Sequence, residues 1–79
     1  MQLEQIKDIV VRHARLSADP EQLTPTSDLY AAGLTSLTTV HVMLALEDHF
    51  AVEFPEHLLR RQTFESIQSI ADAIGDLLA

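Results

Sequence analysis

Gly33-Leu34-Thr35-Ser36-Leu37 runs into Thr38-Thr39-Val40-His41-Val42-Met43-Leu44-Ala45-Leu46-Glu47-Asp48-His49-Phe50, and this stretch decides the fold. Turn residues precede it, and neither glycine nor proline interrupts residues 36–50, so the run reads as one helix. Ser36 stands at the mouth of that helix. Unpaired backbone N–H groups and the positive end of the helix dipole converge there. Such a place suits a phosphate, either bound or joined through the serine oxygen. The other reading is an ordinary helix cap, worth about 1 kcal/mol.

The same helix has two apolar faces. At roughly 100° per residue, Thr39, Val42, Met43, Leu46 and Phe50 share one side. Leu37, Val40 and Leu44 fall nearly opposite, with His41 and Asp48 beside them and Glu47 at the border. One face serves the core. The second means either that the helix is buried on both sides or that it offers a docking surface rimmed by carboxylates. His41, Glu47 and Asp48 are poor deep-core residues, which favours docking, with Leu37 as the leading contact.

Outward from this helix the chain reads as all-α, with four helical segments. The first covers residues 2–16, with Leu3, Ile6 and Val10 on one face and Ile9 and His13 as further candidates. Ser17-Ala18-Asp19-Pro20 ends it, because proline disfavours helix in the residue before it. Residues 17–35 form a long connection punctuated by Pro20, Pro25 and Gly33, with Leu23, Leu29 and Leu34 expected to pin it to the core. A short third helix starts with Pro55 at its first position and ends near Arg61. Thr63 is expected to cap a fourth, whose stripe is Ile67, Ile70, Ala71, Ile74, Leu77 and Leu78. The expected architecture is a four-helix bundle with a long first loop and a short third helix, formed by residues 1–79 as one domain.

The chain has 79 residues, of which 47% are apolar, so a small but packed core is expected. It has no cysteine, which excludes disulfides and thiolate metal sites. The beginning, Met1-Gln2-Leu3-Glu4, lacks a basic n-region, and no apolar run is long enough to span a bilayer. A cytoplasmic monomer with no membrane association is expected. Net charge is −7, and no Lys or Arg occurs between Arg15 and Arg60. That field repels nucleic acid and steers basic protein partners. The four histidines lack metal-ligand spacing, so no metal is expected. No Gly-x-Ser-x-Gly elbow surrounds Ser36, so catalysis by the chain itself is not expected.

With Gly33-Leu34-Thr35-Ser36-Leu37 followed by Val40, Ala45-Leu46-Glu47-Asp48, Phe50 and Phe54-Pro55, the chain resembles the acyl carrier proteins and related carrier domains of synthases. The resemblance implies a bundle of acyl-carrier type. It implies that Ser36 bears a covalent 4′-phosphopantetheine, taken from coenzyme A by a phosphopantetheinyl transferase. The arm's thiol would hold an acyl or aminoacyl group as a thioester. Further implied partners are an acyl- or amino acid-activating ligase and a downstream acceptor enzyme. The partner face maps onto Thr35, Leu37, Thr38, Val40, His41, Leu44, Glu47 and Asp48. The family's usual aspartate before the serine is replaced by Thr35, and Thr38 and His41 stand where fatty-acid carriers are often acidic. These departures imply a specialised carrier. The Gly33-Leu34-Thr35-Ser36 pattern and the region from Phe54-Pro55-Glu56 to Thr63-Phe64 look similar to small stand-alone carriers charged with amino acids. Specialised fatty-acyl or polyketide cargo is the rival. The reading from a different class is a non-covalent helical adaptor using Leu37, Val40 and Leu44 as its hot spot.

Overall fold

Helix α1 (Gln2–Ala14) stops earlier than the sequence suggests, at Ala14 and not Leu16. The cause is local. Arg15 takes a left-handed conformation with φ 47°, which ends the helical ladder before the proline is reached. The computed structural model describes residues 2–17 and 19–79. Met1 and Ala18, parts of the N-terminal stretch and of the breaker read above, lie outside the described residues. Ile6, Ile9, Val10 and Ala14 are buried on the inner face of α1, whereas His13 is exposed.

The long connection is held from several directions. Leu23, Leu29 and Leu34 are all buried, as their spacing predicts. The Leu29 N–H donates to the Glu65 carbonyl at 2.8 Å, and the Gln68 N–H donates to the Pro25 carbonyl at 2.8 Å. These bonds tie the connection to the entry of the last helix. At its other edge the Ser17 N–H and hydroxyl both donate to the Ala32 carbonyl, at 2.8 and 3.0 Å. The chain passes so close there that a Cβ on Gly33, whose φ is +119°, would come within 2.9 Å of the Ser17 nitrogen. Glycine is the residue that accepts both this φ and this approach.

Helix α2 (Ser36–Phe50) has the predicted bounds. It ends at Ala51, where φ of 55° lets the N–H reach back to the Glu47 carbonyl. Val42 and Leu46 are buried, with Thr39, Met43 and Phe50 half-buried beside them. The expected third helix is replaced by two 3₁₀ turns, Glu56–Leu58 and Arg61–Phe64. Pro55 precedes the first turn as its N-cap, and Arg60 is extended between them, at φ −129° and ψ 156°. An extended residue cannot continue a helical hydrogen-bond ladder, so the segment splits there.

Helix α3 (Ile67–Leu78) is capped by Ser66, not Thr63. The Ser66 hydroxyl accepts the Ser69 N–H at 3.0 Å, while Thr63 is buried within the second 3₁₀ turn. Ile67, Ile70, Ala71 and Ile74 are buried, and Leu78, at the end of the predicted stripe, is exposed. Helix α1 packs against both α2 and α3. Phe54 and Phe64 close the core below the 3₁₀ turns, with ring centroids 5.4 Å apart. The result is a helical bundle with three α-helices and no strand among the described residues.

Candidate functional site

The first turn of α2 is built by threonines. Thr35 is extended, at φ −112° and ψ 171°, and occupies the N-cap. Its hydroxyl accepts the Thr38 N–H at 3.2 Å, and the Thr38 hydroxyl accepts the Thr35 N–H at 2.9 Å. The Thr39 hydroxyl donates to the Thr35 carbonyl at 2.6 Å. This reciprocal box satisfies two donors, the N–H groups of Thr35 and Thr38. It also settles which residue is the cap. Ser36 sits one position inside, at the first helical residue, exposed, and its hydroxyl takes no part in the box. Thr35→Ala should cost about 1 kcal/mol of stability, read as a lower urea midpoint with an unchanged slope.

Beside Ser36 lies an open groove of about 410 Å³. Its apolar lining comes from Val40 and Met43 of α2 and from Leu59 and Phe64 of the 3₁₀ segment. Tyr30, Arg60 and Arg61 complete its lining. Tyr30 holds Arg61 by two contacts. Its hydroxyl donates to the Arg61 carbonyl at 3.1 Å, and the Arg61 guanidinium carbon lies 3.9 Å from the centre of its ring. Burial pushes the Tyr30 phenol above its ordinary pKa, and the Arg61 cation partly offsets this, so the phenol stays a neutral donor.

The second apolar face of α2 is a surface. Leu37, Val40 and Leu44 are 67%, 46% and 54% exposed, so the helix is not buried on both sides. His41 and Asp48 are exposed beside this ridge, while Thr38 is half-buried with its hydroxyl in the cap. Glu47 is half-buried too, and its Oε2 accepts the Phe54 N–H at 2.9 Å. That bond anchors the turn after α2. On the α1 side of the ridge, His13, His41, His49 and Asp48 line a second, shallow groove. No group among the described residues is arranged to hold a metal ion.

A family model described as the phosphopantetheine attachment site matches residues 4–74. The chain belongs to this family of carrier proteins. The carrier is 39% identical, over 92% of its length and 88% of the relative's, to an aminoacyl carrier protein of Agrobacterium fabrum. Among solved structures it resembles a carrier protein from Agrobacterium tumefaciens complexed with an engineered Bradyrhizobium japonicum glycine:[carrier protein] ligase and ATP. That likeness has a TM-score of 0.90 at 36% identity and covers 95% of this chain and 97% of the other. A holo acyl carrier protein from Nitrosomonas europaea is similar at TM-score 0.84 and 31% identity, over 99% and 98% of the two chains. The cofactor of this carrier is therefore 4′-phosphopantetheine, and its role is to carry.

The residues of this chain fit that group. Ser36 offers an exposed hydroxyl free of capping duty at a helix N-terminus, with a groove alongside. The periodicity of α2 predicts the exposed ridge of Leu37, Val40 and Leu44. It missed Tyr30, Arg60 and Arg61 as neighbours of the serine. The available signal was that Arg60 and Arg61 are the first cations after Arg15.

Proposed function

We propose that Ser36 is the attachment residue and that the cargo is an amino acid. The observation that carries the first part is the division of labour at the helix start: Thr35 caps, which leaves the Ser36 hydroxyl free and exposed. The Ser36 oxygen forms a bond to the phosphorus of the phosphopantetheinyl group. The diphosphate bridge of coenzyme A breaks, and adenosine 3′,5′-bisphosphate leaves as the serine loses its proton. The thiol of the arm then supplies the thioester linkage to the cargo. The chain's own residues position and present, and the catalysis belongs to the partners. The fold keeps Ser36 at a fixed point relative to the ridge, which raises the effective concentration of a tethered group at a docked enzyme.

The aminoacyl cargo is supported by the Agrobacterium fabrum relative, an aminoacyl carrier protein, and by the likeness to a carrier complexed with a glycine:[carrier protein] ligase. It is also supported by the absence of carboxylates in the first half of α2, between Ser36 and Leu46. The partners are a phosphopantetheinyl transferase, an amino acid-activating ligase and a downstream acceptor of the aminoacyl group. The test offers holo-protein, ATP and candidate ligases with separate pools of amino acids and fatty acids. Loading from the amino acid pool is expected, and exclusive loading of fatty acyl groups would sink the cargo assignment.

Docking is assigned to the ridge Leu37, Val40 and Leu44, with Thr35, Thr38 and His41 at its serine end and Glu47 and Asp48 at the other. Leu37→Ala and Asp48→Lys should each weaken ligase binding by roughly tenfold without unfolding the domain. The check is affinity by titration beside an unchanged helical circular dichroism spectrum.

A further inference from the structure

We infer that the ligase that loads this carrier meets Arg60 with a carboxylate of its own, so that the docking face is cationic beside Ser36 and acidic only toward the far end of α2. The inference rests on the carrier reading above and concerns the charge of the partner's surface. Its ground is the groove that Ser36 shares with Arg60 and Arg61. The two cations differ. Arg61 lies against the Tyr30 ring, with its guanidinium carbon 3.9 Å from the ring centre. Arg60 is exposed and has no ion-pair partner among the described residues.

Arg60 is also held in place. The Tyr30 hydroxyl grips the carbonyl of the next residue, and Arg60 itself is extended between two 3₁₀ turns. Next to it Leu59 is 50% exposed and lines the same groove as Val40. A partner reaching Ser36 therefore encounters an apolar strip flanked by Arg60, an exposed cation with neither an ion-pair partner nor an aromatic ring against it among the described residues. Nothing on the near half of α2 opposes that sign, because the first carboxylate of the helix is Glu47, which is engaged with the Phe54 N–H. The exposed carboxylates at and just after the end of the helix, Asp48 and Glu53, keep the opposite sign there. An acidic group on the ligase opposite Arg60 and a basic group opposite Asp48 would fix the register of docking, which is the main use of charges at an interface rim. The net charge of −7 does not argue against this, since it describes the far field and not this edge.

The probe is the Bradyrhizobium japonicum glycine:[carrier protein] ligase, acting on holo-protein with glycine and ATP. Arg60→Glu is expected to raise the KM for the carrier by roughly tenfold with little change in kcat, and to flatten its salt dependence. Arg60→Lys should retain most of the wild-type KM. Both variants should melt with the wild type, since Arg60 is exposed and makes no side-chain bond. An Arg60→Glu carrier loaded as well as wild type, or better, overturns the inference and leaves the carrier reading standing. A wild-type protein that gains its arm but takes no glycine from this ligase overturns the aminoacyl reading and this inference together. A wild-type protein that takes no arm overturns the carrier reading itself.

Discussion

Ser36→Ala is expected to abolish arm attachment completely and to leave the fold untouched. The two halves of that result come from the same geometry. The hydroxyl is the atom that would form the bond to phosphorus, and no other side chain in the groove can replace it at that helix position. Yet the start of α2 is held by Thr35 and Thr38, so removing the Ser36 oxygen breaks none of the capping bonds. Stability should stay within about 0.5 kcal/mol of wild type, as for an exposed substitution away from a cap or core. The variant therefore separates a carrier from an adaptor. Partner affinity through Leu37, Val40 and Leu44 should survive in Ser36→Ala, while loading with cargo disappears. An adaptor would show no functional loss at all, measured by the same partner's downstream output.

Leu46→Ala is expected to have the largest effect on stability. Leu46 is fully buried on the inner face of α2, the helix that packs against α1. Truncation removes transfer free energy and leaves a cavity, at a cost of about 2–5 kcal/mol. A domain this small has a total stability toward the low end of about 5–15 kcal/mol, so the variant should be partly unfolded near room temperature. In thermal unfolding the midpoint should fall by about 10 °C or more. Arm attachment should fall with the folded fraction, because Ser36 is presented only when α2 is formed. A loss below about 1 kcal/mol would mean that the core relaxes around this site and that the α1–α2 contact does not set the stability.

How much of this was legible in the sequence depended on distance along the chain. Helix α2 was readable to both ends, because fifteen residues without glycine or proline follow a turn and carry helical periodicity as far as Phe50. The exposed ridge followed from the same pattern. Segment ends set by single backbone conformations were harder. Arg15 ends α1 through a positive φ that nothing in its side chain signals, and Ser66 wins the cap of α3 over Thr63 because Thr63 is drawn into a buried 3₁₀ turn. The short third helix resolved into two turns around an extended Arg60 for a tertiary reason. Tyr30, thirty-one residues earlier, holds the Arg61 carbonyl and guanidinium. The same clamp brings Arg60 to the serine, so the charge beside Ser36 was invisible to any reading of local pattern. Ser36 itself was singled out by position, and its freedom from capping emerged only with the hydrogen bonds of Thr35 and Thr38.

The central claim is that Ser36 bears the arm. It is tested most directly by the mass of the wild-type protein after incubation with coenzyme A and a broad-specificity phosphopantetheinyl transferase, followed by peptide mapping. The expected result is the gain of a single phosphopantetheine, located on the peptide that contains Ser36. No gain, or a modification on any other residue, would contradict it.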